Sequence, residues 1–175
     1  ANAERFNLDP DRIGVMGHSA GGHLTSLIAL TGGLGIYNDK GGWEGYSDEV
    51  QVAVPCSGPS NLIQQADDIN DSQETEDFWQ GFMGTTNIQS PIYREFSPIT
   101  YVNQHEPPFM LVHGSDDNVV NVSESEELHK ALLHFGNESE LLIVEEGNHG
   151  FEVDGVSQDA VIKEKIIPFL LKHLQ

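Results

Sequence analysis

Apolar residues along this chain fall either in short unbroken runs or at intervals of three and four positions. Arg12-Ile13-Gly14-Val15-Met16-Gly17, bounded by Pro10 and a glycine-serine turn, predicts a strand buried on both faces. Leu24, Leu27, Ile28 and Leu30 then recur at helical spacing, and the helix they predict ends near Gly32-Gly33. Val50–Val54, Pro108–His113 and Glu140–Glu145 supply three further strand-like runs. Between the last two, Ser123 is expected to cap a helix whose Leu128, Ala131, Leu132 and Phe135 face inward, closed by Gly136-Asn137. A final helix, from about Ser157 to Leu174, carries Val161, Ile162, Ile166, Phe169 and Leu170 on one side, with Pro168 inside it as an expected kink. Strands alternating with helices imply an α/β fold, a mostly parallel sheet flanked by helices.

Other segments break the pattern. Residues 1–12 read as the tail of a helix and a turn, and the glycine-rich stretch from Leu34 to Glu49 reads as a loop carrying Trp43 and Tyr46. Between Pro55 and Pro107 regular periodicity fades, apart from Phe78-Trp79-Gln80-Gly81-Phe82-Met83. Residues 59–106 are therefore expected to form a lid-like insert in a single domain spanning 1–175. Phe and Trp spaced this way on a short helix favour packing the insert onto the body over covering a site.

Charge removes several classes of partner. Eight Lys and Arg stand against 28 Asp and Glu, a formal charge of −20 that repels nucleic-acid phosphates and anionic lipid surfaces. Neither nucleic acid nor membrane is expected as a partner. The acids are denser at 67–71 and 74–77, which reads as a solvated face, with salt adaptation or an acid-lined metal site as the other readings. No stretch is long enough to cross a membrane and residues 1–12 hold no apolar signal-peptide core, which predicts a soluble piece. Cys56 is alone, so it reads as a small buried hydrophobe.

Chemistry concentrates at Gly17-His18-Ser19-Ala20-Gly21-Gly22, where a strand-like run turns into a helix. A Gly-x-Ser-x-Gly turn leaves the serine oxygen exposed at its tip, and side chains at Gly17 or Gly21 are expected to collide with neighbouring backbone. Ser19 is the expected nucleophile. Ala20, at the start of the helix, would donate its N–H to developing negative charge. His113-Gly114-Ser115-Asp116-Asp117 follows the third strand and Gly147-Asn148-His149-Gly150 the fourth, so the order along the chain is Ser, Asp, His. His149 is the histidine on a short glycine-flanked loop; His113 is expected to bond within its own turn, and His105, His129, His134 and His173 to lie at the surface. His18 and His23 lack the spaced carboxylates or thiolates that metal ligation needs, so neither metal nor cofactor is expected.

These motifs resemble the α/β-hydrolase superfamily. Within it, Asp11 to Leu24 looks like the esterase/lipase group containing feruloyl and acetylxylan esterases and hormone-sensitive-lipase-like carboxylesterases. The resemblance implies a serine carboxylesterase acting on short acyl esters, including acetyl or feruloyl groups on plant polysaccharide. It assigns the acid to Asp117, four residues after His113, with Asp116 as the alternative. It covers only the C-terminal half of the family's pattern, whose four earlier strands and His-Gly-Gly-Gly oxyanion loop residues 1–18 do not supply. An α/β-hydrolase fold lacking its N-terminal strands would leave strand 12–16 as an uncovered edge, so association with an N-terminal fragment or a second copy is expected there. The alternatives are a prolyl-oligopeptidase-type catalytic fragment and a catalytically silent truncated domain.

Overall fold

A computed structural model of the chain describes residues 1–37, 42–68 and 73–175; Gly41 and, within the run 67–71, positions 69–71 lie outside them. A short helix α1 (Ala3–Phe6) leads into strand β1 (Gly14–His18) and helix α2 (Ala20–Thr31). Strand β2 (Val52–Cys56) is followed by helices α3 (Leu62–Asp68), α4 (Gln73–Met83) and α5 (Pro91–Glu95) and a 3-10 turn, Pro98–Tyr101. Strand β3 (Phe109–Gly114), helix α6 (Ser123–His134) and strand β4 (Ser139–Val144) come next. The small antiparallel pair β5 (Glu152–Val153) and β6 (Val156–Ser157) precedes the last helix, α7 (Asp159–His173).

The sheet runs β1-β2-β3-β4 with every pair parallel, as the alternation of strand and helix implied. In β2 and β3 successive side chains enter two different cores. Val52, Val54, Cys56, Met110 and Val112 meet Ile162, Ile166 and Phe169 of α7 on one face. Ala53, Phe109 and Leu111 meet Ala29 and Leu30 of α2 and Leu128 and Leu132 of α6 on the other. Two covered faces explain why the central strands read as unbroken apolar runs. Cys56 is a free, buried thiol, and burial pushes its pKa up to about 12.

Several expectations are corrected by neighbours that the sequence does not display. β1 is not buried on both faces: it pairs with β2 alone among the described residues, and Gly14, Met16 and His18 are exposed. On α2 the buried side is formed by His23, Thr25, Ser26, Leu27, Ala29, Leu30 and Thr31, while Leu24 and Ile28 face outward. Thr31 is accommodated there because its Oγ donates to the Leu27 carbonyl at 2.7 Å. Ser123 does not cap α6; Asn121 Oδ1 accepts the Ser123 N–H at 3.0 Å and does that work instead. Phe135 and Val161, expected inside, are exposed at a helix end and on the outer side of α7. No helix is long and apolar enough to cross a membrane among the described residues.

The stretch from 59 to 106 is more helical than its weak periodicity implied. Leu62, Ala66, Trp79, Met83 and Tyr93 form a third cluster, separate from the two sheet cores. Glu124, fully buried in the first turn of α6, ties this stretch to the body. Its carboxylate accepts the N–H groups of Ser60 and Asn61, both at 2.7 Å. Burial raises the pKa of Glu124, and those N–H groups pull against the rise.

Candidate active site

In a parallel sheet all strand ends of one sense lie on the same rim, so the residues that follow β1, β3 and β4 are brought together there. Ser19 sits at the tip of the first turn with φ 57° and ψ −121°, a strained conformation for a residue with a side chain. Backbone bonds hold it: its N–H donates to the Cys56 carbonyl at 2.8 Å, and its own carbonyl accepts the His23 N–H at 3.0 Å. The turn needs glycine at 17, where a Cβ would run into the Gly21 carbonyl, and at 22, where it would lie 2.5 Å from the Cys56 carbonyl oxygen. Gly21 itself faces open space. The expected collision at 21 is therefore corrected to 22, the residue that crosses the end of β2.

His149 reaches Ser19 from the loop after β4. Its Nδ1–H donates to Asp117 Oδ2 at 2.7 Å, which leaves Nε2 to accept the Ser19 hydroxyl at 2.9 Å. Asp117, in the loop after β3, has a fully buried side chain. Its Oδ1 accepts two N–H groups, from Val119 and Val120, each at 2.9 Å. Burial alone would raise its pKa, but the bonds from His113, Val120, His149 and Val119 outweigh it and hold the carboxyl well below its ordinary range. Asp116 is exposed and accepts only the neighbouring Ser115 hydroxyl at 3.0 Å. Ala20 opens α2, and the first N–H groups of a helix have no acceptor within it.

Two histidines join this group in ways the sequence did not announce. His113 reaches beyond its own turn: Nε2–H donates to the Val120 carbonyl at 2.9 Å and lies 3.3 Å from Asp117 Oδ2, while Nδ1 accepts the Ser125 hydroxyl at 2.7 Å. Its place in a wholly buried strand was the available signal. His18 Nε2–H donates to the His149 carbonyl at 2.6 Å, and its ring packs on those of His149 and Phe151. His23 is buried, with Nδ1 3.0 Å from the Pro59 carbonyl, and burial lowers its pKa. His105 and His134 are exposed as expected, but His129 and His173 are half-buried, His129 against the Ser139 hydroxyl and His173 against Phe169.

On the other side of Ser19 opens a cavity of about 410 Å3. Its wall comes from α2, α3 and α4, with Pro59, Phe96 and the loop residues Val119 and Val120, and is almost entirely apolar. The aromatic patch of α4 divides here. Trp79 packs into the third cluster, as expected, and also lines the cavity, whereas Phe78 and Phe82 do not pack inward: they stay 57% and 56% exposed on the cavity wall.

Comparisons with known proteins agree with this architecture. Residues 1–132 match the family model BD-FAE. A probable carboxylic ester hydrolase of Mycobacterium tuberculosis, LipM, is 35% identical over 130 residues, 71% of this chain and 28% of that protein. Esterase LipQ of the same organism is 29% identical over 175 residues, 97% of this chain and 40% of its own length. The chain thus spans well under half of either relative. A truncated carbohydrate esterase from gut microbiota superposes with a TM-score of 0.82 over 98% of this chain and 63% of that one, at 24% identity, a likeness of fold.

Proposed function

We propose that this chain, which belongs to the BD-FAE family of α/β-hydrolases, hydrolyses carboxylic esters through Ser19, His149 and Asp117. The contact that carries the reading is the continuous hydrogen-bonded line from the Ser19 hydroxyl through the imidazole of His149 to the buried carboxylate of Asp117. Ser19 Oγ attacks the carbonyl carbon as its proton passes to His149 Nε2, and the negative oxygen that forms is met by the Ala20 N–H. The bond to the alcohol oxygen then breaks and His149 returns the proton to it. Water repeats the sequence on the acyl-serine, releasing the acid and restoring the hydroxyl. Asp117 stays ionised throughout, fixing the ring tautomer and stabilising the imidazolium.

Acetyl and feruloyl esters of plant polysaccharide are the substrates in view. The likeness to a carbohydrate esterase supports them, as does the resemblance to acetylxylan and feruloyl esterases in the residues around Ser19. Residues 59–106 act as a lid-like insert within one domain, supported by their separate cluster and their share of the cavity wall. The outer edge of β1, with Ile13 and Met16 exposed, pairs with another strand, from the same protein or from a second copy. Native mass spectrometry tests that last point; a lone chain at micromolar concentration removes the second copy.

A fluorophosphonate probe tests the chemistry. The expected adduct is on Ser19 and disappears in His149→Ala. Absence of any adduct on a folded chain overturns the hydrolase reading in favour of a silent domain.

A further inference from the structure

The cavity beside Ser19 is built for more than the reacting carbonyl. Leu24, Leu27, Leu62, Phe78, Phe82 and Phe96 are among the large apolar side chains that line it. The rings of Phe78 and Phe82 stack with centroids 5.7 Å apart and 17° between planes, and more than half of each remains open to solvent. Trp79, buried behind them, meets Phe78 edge-on at 5.2 Å and fixes the patch in place. Large apolar side chains held open in this way lose free energy to water until something covers them.

The reaction itself says which part of an ester lies there. His149 must protonate the departing alcohol oxygen, so the alcohol leaves along the face of Ser19 that His149 occupies. Ser19 and Ala20 line the cavity and His149 does not. The acyl side of the ester is the part that points into it. An acetyl methyl would leave nearly all of the 410 Å3 empty, and pockets of about 300–1,000 Å3 suit ligands many times larger.

We infer that the acyl group taken by this site is a bulky apolar one, much larger than acetyl, and that Phe78 and Phe82 select it. The inference rests on the hydrolase reading above and narrows it, because acetyl esters become poor substrates. Each methylene that enters the cavity raises kcat/KM about fourfold until the space is filled.

Two isomeric esters separate acyl from alcohol on the full chain. Ethyl octanoate and octyl acetate contain the same atoms, with the long chain on opposite sides of the ester bond. The octanoate is expected to react at least about tenfold faster by kcat/KM. Faster octyl acetate overturns the acyl assignment, and equal rates overturn the selective cavity. In the p-nitrophenyl series, Phe78→Ala and Phe82→Ala should each lower the octanoyl-to-acetyl ratio about fivefold or more, with melting temperatures near wild type because both rings are exposed. An unchanged ratio overturns their role. If no ester is cleaved and no fluorophosphonate adduct forms, the hydrolase reading fails and this inference with it. Cleavage with acetate as the best substrate overturns the inference alone.

Discussion

The two sides of Ser19 are built on opposite physical terms. Towards His149 every contact is directional and short: 2.9 Å to the ring, 2.7 Å from ring to carboxylate, and two N–H groups at 2.9 Å behind that carboxylate. Towards α4 the wall is apolar, partly open and tolerant of whatever volume fills it. A charge that develops and vanishes within one turnover needs donors already aimed at it, so the polar side has one usable geometry. Apolar burial depends on area and not on angle, so the other side can grade its response methylene by methylene. Changes on the first side should therefore act on all esters alike, and changes on the second should act on their relative order.

Asp117→Asn offers the sharpest break. It removes the charge and the tautomer lock together, and kcat should fall by about 10⁴ for acetyl and octanoyl esters equally. A change in their ratio would blur the two sides. The same residue carries a pH signature. Its pKa is lowered in the folded chain, so the native state binds fewer protons than the unfolded one, and the stabilisation is complete above the unfolded value of about 4 and lost as pH falls below it. Urea titrations should show the wild type losing its advantage over Asp117→Asn below about pH 4.

Within α4 a single turn holds one buried ring and two exposed ones. Trp79→Ala should cost about 3–5 kcal/mol in denaturant unfolding, since its ring is buried with Leu62, Ala66 and Tyr93. A cost no larger than that of Phe82→Ala would dissolve the distinction. His18→Phe keeps a ring but deletes the donor to the His149 carbonyl; kcat should fall about ten- to a hundredfold with KM little changed, and His18→Gln should recover part of the loss. The smallest effect belongs to Glu106, far from both sides and half-buried, where burial lifts the pKa to about 7. The folded state then holds the extra proton between its ordinary value and 7, so stability declines as pH rises through that window. Glu106→Gln should raise Tm by about 1–3 °C at pH 8 and leave it unchanged at pH 5.

Local pattern carried much of the architecture. Apolar runs ending in Gly17, His113 and Val144 gave parallel strands because both faces of β2 and β3 are covered, and such burial leaves its mark on every residue. Ser19, Asp117 and His149 stood out for a related reason. Each lies in a turn whose backbone geometry restricts the residues nearby, so glycines and short polar side chains betray it. The order of strands along the chain then puts their ends on one rim.

What stayed hidden depended on partners distant in sequence. An apolar run does not say whether a strand has one neighbour or two, so β1 read as buried while lying at an edge. Helical spacing does not say which stripe meets the sheet: Leu24 and Ile28 turn outward while Ala29 and Leu30 join the core beneath it. Gly22 looked less constrained than Gly21 until the end of β2 was seen beside it. The sequence by itself determined which polar residues sit in the turns after the strands and which strands exist, since those depend on composition and short-range geometry. Only the tertiary structure decided that Phe78 and Phe82 stay exposed on the cavity wall while Trp79, on the same wall, is buried in a core, because burial is a relation between surfaces and one chain segment records only its own half of it.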